Sequence, residues 1–277
     1  ARGWGRPLKT AHAAASLGES NLAAMSPEPR RGPAGIRVVN KPAGMSSQQV
    51  VTRVKRAMRY KKAGHAGTLD PEATGVLIVC LSEATRLFEA LQGHEKEYVS
   101  VIRLGVETNT YDMTGEVVAE NDVPELTADD VERVLESYRG DIEQVPPMFS
   151  ALKHRGQPLY KLARQGITVD RPPRAVTVRE MELTDLDPPL MTIRTVCSRG
   201  TYSRTLAHDI GRDLGCGGCI DTLIRTRSGP YSIDAAMSLE DITSDPAKAI
   251  SSVVPLADVR AMLEAEAAEA TSDEASG

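Results

Sequence analysis

The stretch "GHAGTLDPEATGVL", which runs from Gly64 to Leu77, is the most informative part of the sequence. It places one aspartate, Asp70, in a loop of glycine and threonine residues that leads directly into the apolar segment 76–81. Small polar loops ahead of a buried strand are typical positions for reactive or ligand-facing side chains. Asp70 is therefore the first candidate for a functional residue.

The segments around this loop alternate between strand and helix patterns. Strand-like apolar runs occupy residues 36–40, 75–81, 98–104 and 191–197. Helical spacing of apolar residues follows the candidate N-caps Ser46 or Ser47 and Thr127, and also begins near Ala84 and Leu206. Several strands joined by hairpin-length links favour an α+β fold over a doubly wound parallel sheet.

The length of 277 residues and the apolar content of 41% predict one main domain with ragged ends. Residues 1–34 are rich in Ala, Gly, Pro, Ser and Arg, which predicts a disordered or leader-like extension. A truncated transit peptide would mean a mitochondrion or plastid, and a start at Met25 is equally open. A bacterial protein would be cytoplasmic, so the compartment is undecided. Residues 257–277 are predicted to be an acidic tail, or a frayed helix from about residue 262.

No apolar run approaches the length of a membrane span, so no membrane association is expected. Four cysteines in a chain of this length indicate a reducing compartment rather than a disulfide framework. Cys216 and Cys219 form a C-x-x-C, but no second pair of ligands completes a zinc site. A glycine-rich turn with two incidental thiols is therefore favoured over a metal or redox centre.

The net charge of −5 is unevenly distributed along the chain. Residues 257–277 carry six acidic side chains and one arginine, so the rest of the chain is neutral on balance. Two basic blocks lie within it: Arg53, Lys55, Arg56, Arg59, Lys61 and Lys62, then Lys153, Arg155, Lys161, Arg164, Arg171, Arg174 and Arg179. The blocks are typical of an anion-binding face, but solvated helix surfaces give the same pattern, and charge alone does not decide between them.

Several catalytic motifs are absent from the sequence. There is no phosphate-binding G-x-x-x-x-G-K-[ST] loop and no G-x-G-x-x-G dinucleotide fingerprint. There is also no G-x-S-x-G nucleophile elbow and no H-E-x-x-H metal helix. The chemistry of Asp70 is therefore expected to need no cofactor and no metal.

The stretch around Asp70 closely resembles the catalytic motif of the TruB-type tRNA pseudouridine synthases, which isomerise uridine 55 in the TΨC arm. Five further blocks match the family in order: "KPAGMSS" (41–47), "SEATRL" (82–87), "KEYVSVIRLGVETNTYDMTG" (96–115), "GDIEQVPPMFSALKHRGQPLYKLARQGI" (140–167) and "CSRGTYSRTLAHDIGRDLG" (197–215). Together they cover most of residues 36–256. The resemblance implies a pseudouridine synthase fold, with a mixed, mostly antiparallel sheet flanked by helices, over a catalytic domain of residues 35–256.

The family's reaction breaks the bond from ribose C1′ to N1 of uracil, turns the base and rejoins C1′ to C5. Nothing is added or removed, which agrees with the absence of cofactor motifs. Whether the aspartate attacks C1′ or C6, or helps to remove a ribose proton, is not decided by the sequence. The implied partner is the TΨC stem-loop of tRNA, and no protein partner is implied, so a monomer is expected.

The resemblance assigns roles to particular residues. Asp70 matches the essential aspartate, Arg204 its guanidinium partner, and Tyr98 the tyrosine that packs against the target uracil. Assistance in removing the proton from C5 is a second role left open for Tyr98. His65 matches the histidine that fills the gap left when the base is flipped out of the loop. Further RNA-binding candidates are Tyr202, Lys41, Arg86, Leu223 and Arg225, together with the phosphate-steering residues Arg53, Lys55 and Arg56.

Two other readings remain open. A guide-RNA-dependent synthase of the Cbf5/dyskerin type performs the same chemistry, but would normally carry a C-terminal PUA domain, for which only about two dozen residues remain after Pro255. The second is a tRNA folding chaperone that binds RNA without catalysis, for which Asp70 would be dispensable. The expected absence of a PUA domain also predicts a lower affinity for tRNA than in the bacterial enzymes.

Overall fold

The computed structural model describes the backbone of residues 32–274 and the side chains of residues 32–268. Its helices are α1 (Ser47–Ala57), α2 (Phe88–Gly93), α3 (Ala128–Glu136), α4 (Leu159–Ala163), α5 (Ser203–Asp213), α6 (Leu239–Ser244), α7 (Pro246–Ser251) and α8 (Leu256–Glu274). Short 3₁₀ helices lie at Ser82–Leu87 and Ile233–Ala235. Residues 1–31 of the predicted extension over residues 1–34 lie outside the described residues.

The strands are β1 (Gly35–Lys41), β2 (Ala63–Ala66), β3 (Thr74–Leu81), β4 (Lys96–Leu104), β5 (Val106–Thr108), β6 (Val117–Glu120), β7 (Gly140–Gln144), β8 (Lys153–His154), β9 (Gln157–Pro158), β10 (Arg174–Asp187), β11 (Leu190–Cys197), β12 (Gly218–Ser228), β13 (Tyr231–Ser232), β14 (Met237–Ser238) and β15 (Val254–Pro255).

One large sheet organises the molecule, with the order β14-β1-β3-β12-β4-β11-β10-β7. Strands β2, β13 and β15 pair with β3, β12 and β1 outside this path. Within the described residues, β1–β14 and β3–β12 are the parallel pairs of this sheet, and its other neighbours run antiparallel. The prediction of an α+β fold with a mixed, mostly antiparallel sheet is confirmed.

Strand β3 lies at the centre of the core because both of its faces are buried. Leu77 and Val79 belong to the larger apolar cluster, which also contains the buried face of α1. Val76, Ile78 and Cys80 belong to a second cluster on the opposite face. A strand covered on both sides needs a continuous apolar run rather than alternation, as the sequence 76–81 has.

Helix α1 holds the loop that contains Asp70. Ser46 caps the helix through a reciprocal capping box with Gln49. The neighbouring Ser47 donates its hydroxyl to the Leu69 carbonyl at 3.0 Å and accepts from the Leu69 N–H at 2.9 Å. The two serines that compete as N-caps in the sequence therefore have separate tasks, one in starting the helix and one in fixing the residue before Asp70.

The C-terminal segment begins as a packed helix. Val259 on α8 is fully buried, and Met262 and Leu263 pack with it against the second apolar cluster. Their spacing places the three side chains on one helical face, and the acidic residues Asp258 and Glu264 flank them in sequence. The segment read as an acidic tail or frayed helix is thus helical through Glu274. No helix in the described part of the chain is both long and apolar enough to cross a membrane.

Candidate active site

Asp70 and Arg204 form a bidentate ion pair at the mouth of the β2–β3 loop. Nε of Arg204 donates to Oδ2 of Asp70 at 2.8 Å, and Nη2 donates to Oδ1 at 3.2 Å. The Arg204 side chain is 6% exposed and the Asp70 side chain 38%. The carboxylate is therefore held by its partner on one side and open on the other.

Arg204 is itself fixed by two backbone carbonyls from distant loops. Nη1 donates to the Thr110 oxygen at 2.9 Å, and Nη2 donates to the Phe149 oxygen at 2.9 Å. The carboxylate of Asp112 lies 3.7 Å from Nε. A planar guanidinium with donors in a fixed fork can satisfy these acceptors together, which a single ammonium group cannot.

The open side of Asp70 faces a cavity of about 570 Å³. Its lining includes five of the other predicted site residues: Tyr98, Tyr202, Arg204, Leu223 and Arg225. The structure therefore brings the catalytic candidates and three of the RNA-binding candidates together. This volume is in the range of small-molecule clefts and admits one nucleotide.

Tyr98 and Arg225 lie opposite each other on the central strands β4 and β12. Arg225 is 1% exposed and donates to the carbonyls of Val76, Gly67 and Thr68 at 2.7, 3.2 and 3.4 Å. It therefore supports the backbone that leads into Asp70. Burial raises the pKa of Tyr98, with Arg225 opposing the shift, so its hydroxyl stays protonated at neutral pH.

Lys41 supports the same loop from outside the cavity. Its side chain is fully buried, and Nζ donates to the carbonyls of Pro42 and Pro71 at 2.8 and 2.7 Å. Burial lowers the Lys41 pKa to about 8, although the carboxylates of Glu72 and Asp70 oppose this shift. Since Pro71 follows Asp70 directly, Lys41 and Arg225 fix the loop on both sides of the carboxylate.

The remaining RNA-binding candidates lie away from the cavity lining. His65 is half-buried on β2, where burial and then the charge of Arg225 lower its pKa. Arg86 is exposed on the 3₁₀ helix that follows β3. Arg53 and Arg56 are exposed on α1, and Lys55 beside them is half-buried. The structure thus separates a cavity group from a surface group.

Three cations of the cavity were not identified as site residues from the sequence. Lys96, Arg174 and Arg199 all line it, and no carboxylate in the described part of the chain forms an ion pair with any of them. Burial, followed by the charge of Arg225, lowers the Lys96 pKa to about 8. The signals in the sequence were the lysine of the "KEY" motif, the place of Arg174 in the second basic block, and the place of Arg199 in the matched block 197–215. The cavity wall is consequently strongly cationic.

Among the described residues, no group of three or more His, Cys, Asp or Glu side chains is arranged to hold a metal. Cys216 and Cys219 are both buried. Burial raises the pKa of Cys219 to about 11, so the thiol is protonated and unreactive at neutral pH.

Comparisons with known proteins agree with this geometry. The family model "TruB family pseudouridylate synthase (N terminal domain)" matches residues 55–203. The model "tRNA pseudouridylate synthase B C-terminal domain" matches residues 204–265. The boundary between the two matches falls between Tyr202 and Arg204, within the start of α5.

Curated relatives named tRNA pseudouridine synthase B occur in several bacteria. The one from Francisella philomiragia is 49% identical over 75% of this chain and 69% of its own length. The one from Saccharophagus degradans is 49% identical over 82% and 73%. The one from Pseudomonas aeruginosa is 49% identical over 77% and 70%.

Among solved structures, a Cbf5-Nop10-Gar1 complex contains a chain with a TM-score of 0.64 and 29% identity. The match covers 80% of this chain but 60% of that one. A structure of an H/ACA RNP bound to a substrate RNA containing 2′-deoxyuridine gives a TM-score of 0.59 and 27% identity, over 80% and 58%. With the pseudouridine synthase fold, the Asp70–Arg204 pair and both family matches, the chain belongs to the TruB family of pseudouridylate synthases, a family of isomerases.

Proposed function

We propose that this protein is a tRNA pseudouridine synthase that converts uridine 55 of the TΨC loop to pseudouridine without a cofactor, with residues 35–256 as its catalytic domain. The observation that carries the proposal is the Asp70 carboxylate, clamped by Arg204 on one side and open on the other to a cavity that admits one nucleotide. The curated relatives, which are 49% identical over the matched 75–82% of this chain, are named tRNA pseudouridine synthase B, which supports the tRNA pseudouridine synthase activity.

The reaction balances within the substrate. The C1′–N1 bond breaks, uracil turns, and a C1′–C5 bond forms; C5 then loses its proton and N1 gains one. Asp70 provides the carboxylate that attacks C1′ or C6, or removes a ribose proton, and each route requires the side of the carboxylate that is not covered by Arg204 to face the nucleotide. Arg204 keeps that carboxylate oriented throughout the reaction.

Tyr98 contacts the base rather than removing a proton from it. Its raised pKa leaves a neutral phenol at physiological pH, which is a weak base but a good packing surface and hydrogen-bond donor. Leu223, from the adjacent strand β12, provides an apolar contact for the uracil ring. The uracil is therefore held between Tyr98 and Leu223, with Asp70 at the sugar.

The RNA backbone binds to the cations around this pocket. A uridine within a folded T-loop reaches the cavity only when it is flipped out, and its two flanking phosphates then follow it to the rim. Arg174 and Arg199 line the cavity without a carboxylate partner in the described residues, so their charges are available to phosphates. The exposed Arg53 and Arg56, with Lys55, Arg86 and Tyr202, complete the proposed RNA-binding set, in which His65 fills the vacated stack. Lys41, predicted from the resemblance to bind RNA, is fully buried and supports the Asp70 loop instead.

The experiment is a comparison of wild type with Asp70→Asn on a T-arm stem-loop labelled with tritium at uridine C5. Pseudouridine formation releases the label, and carbodiimide labelling locates the product. We expect the asparagine variant to release none while it binds the RNA with near wild-type affinity. Asp122→Asn, the same change at an exposed position outside the cavity, should keep full activity. Turnover by Asp70→Asn, or an inactive wild type, would refute the proposal.

His65 is tested by a choice of substrates. His65→Ala should lose more activity on the folded T-arm than on an unstructured oligonucleotide that contains the same uridine. Only in the folded loop does the flipped base leave a gap in the stack that the His65 side chain fills. Equal losses on both substrates would exclude the gap-filling role.

A guide-RNA-dependent enzyme of the Cbf5 type is the second candidate, because a chain of the Cbf5-Nop10-Gar1 complex has a TM-score of 0.64 against this one. The higher identity to the tRNA pseudouridine synthase B relatives, 49% against 29%, favours the tRNA enzyme. Activity of the purified chain on the bare stem-loop supports the tRNA reading, whereas activity only with an added guide RNA supports the other.

A further inference from the structure

Gln144 forms a pair of hydrogen bonds with the backbone of Tyr202. Gln144 is the last residue of β7 and is 3% exposed. Its Nε2 donates to the Tyr202 carbonyl at 3.1 Å, and its Oε1 accepts from the Tyr202 N–H at 2.7 Å. A primary amide is the side-chain group that offers one donor and one acceptor side by side, as a neighbouring strand would.

Tyr202 is the residue from which α5 starts. It is the N-cap of this helix and makes no side-chain cap bond, so its backbone is oriented by other groups. Its carbonyl also accepts from Leu206 in the first helical turn, at 3.1 Å. Arg204 follows two residues later, and the direction of the first turn determines where its guanidinium lies.

Gln144 also stands at the start of the segment that provides another support for Arg204. Five residues further along the chain, Phe149 presents the carbonyl that accepts from Nη2 of Arg204. The Gln144–Tyr202 pair therefore joins the two chain segments between which Arg204 is held. Loss of this pair would loosen the arginine without removing any of its own contacts.

We propose that Gln144 is a positioning residue for the isomerisation: by holding the backbone of Tyr202, it fixes the Arg204 guanidinium and through it the Asp70 carboxylate. This rests on the proposed function. Space-filling alone does not account for the residue, since an apolar side chain would fill the volume without the desolvation of an amide, but would leave both Tyr202 groups without these partners.

The main test is Gln144→Glu, which keeps the size and the acceptor but, when ionised, turns an oxygen towards the Tyr202 carbonyl. We expect the single-turnover rate at saturating enzyme to fall roughly 10- to 100-fold, with RNA affinity changed by less than about threefold. A protonated carboxyl group restores the missing donor, so the rate relative to wild type should recover as the pH falls from 8 to 6.

The coupling to Arg204 is tested by a double-mutant cycle. In an Arg204→Lys background, Gln144→Glu should cost little more, because the group it positions is already gone. Gln165→Glu, the same change at an exposed position, is the matched control and should leave the rate unchanged. Additive losses in the cycle would mean that Gln144 acts on general stability, and would overturn the inference.

Gln144→Leu keeps the test decisive if the glutamate variant fails to fold. It fills the core and removes both hydrogen bonds, so we expect a similar loss of rate without recovery at low pH. A leucine variant with the wild-type rate, or one that loses RNA affinity while its saturated rate is intact, would also overturn the inference. Wild-type activity in the same assay shows that the proposed function itself holds.

Discussion

The replacement Arg204→Lys separates the charge of the arginine from its geometry. Arg204 donates four hydrogen bonds, two to Asp70 and one each to the Thr110 and Phe149 carbonyls. A lysine ammonium at the end of a flexible chain keeps the positive charge, but its donors radiate from one atom and cannot reach all the acceptors spread around the edges of the guanidinium group. One or two of these acceptors therefore lose their hydrogen-bond donor.

The cost follows from the burial of the site. Arg204 is 5% exposed, so an acceptor left without a partner is not readily hydrated. Each such group costs about 1–3 kcal/mol, and two of them cost about 2–6 kcal/mol. If this loss falls on the orientation of Asp70 in the transition state, the saturated rate falls roughly 30- to 20,000-fold.

The assay is tritium release from the T-arm stem-loop under single-turnover conditions at saturating enzyme, with RNA affinity measured separately by filter binding. Arg212→Lys on the same helix is the matched control, because its side chain is 64% exposed and should tolerate the change. A saturated rate for Arg204→Lys within about threefold of wild type would refute the geometric reasoning. So would a variant whose only defect is in RNA binding.

Three further predictions concern the framework of the site. Lys41 has a pKa of about 8 when folded, against 10.5 when unfolded, so the unfolded state binds more protons between these values and stability should rise with pH by up to about 1.4 kcal/mol per unit. Urea unfolding of wild type and Lys41→Met at pH 7.5 and 9.5 measures this, and an equal rise in both would contradict it. Gly75→Ala should destabilise by about 2–4 kcal/mol, since Gly75 has φ +100° and a Cβ there would lie 2.2 Å from the Arg225 carbonyl; thermal melts should show no comparable loss for Gly93→Ala, where the space is open. Val259→Ala on α8 should cost about 2 kcal/mol in urea unfolding, and no change would mean that the helix adds nothing to the core.

Much of the fold was predictable because its central strands follow simple rules. The strands predicted at residues 36–40, 75–81, 98–104 and 191–197 correspond to β1, β3, β4 and β11, within two residues at each end. Apolar runs in short segments bounded by turns are sufficient for such elements. Strand β12 escaped prediction although it lies in the middle of the sheet, because the buried Arg225 and the half-buried Asp221 interrupt its apolar pattern.

The parts of the site formed by side chains were predictable from the sequence, whereas the contacts made by backbone carbonyls were not. The motif around Asp70 and the "GTYSRT" segment identify the two members of the ion pair. The carbonyls of Thr110 and Phe149 have no signature in the sequence, because every residue carries the same group and only the fold aims it. Fully buried charges such as Lys41 were likewise not expected in a core, since their cost is offset by loop carbonyls that are visible only in three dimensions.

The place of β12 between β3 and β4 also bears on how the molecule is made. A chain emerging from the ribosome exposes β3 and β4 long before residues 218–228 are synthesised, so each strand lacks one of its permanent neighbours until then. The edges of β3 and β4 that later pair with β12 can pair wrongly with other chains. They stay unpaired while more than a hundred further residues are translated. A nascent chain on a ribosome stalled before β12 should therefore require a holdase to remain unaggregated. In that chain α5, which carries Arg204, would not yet be in its final position beside Asp70.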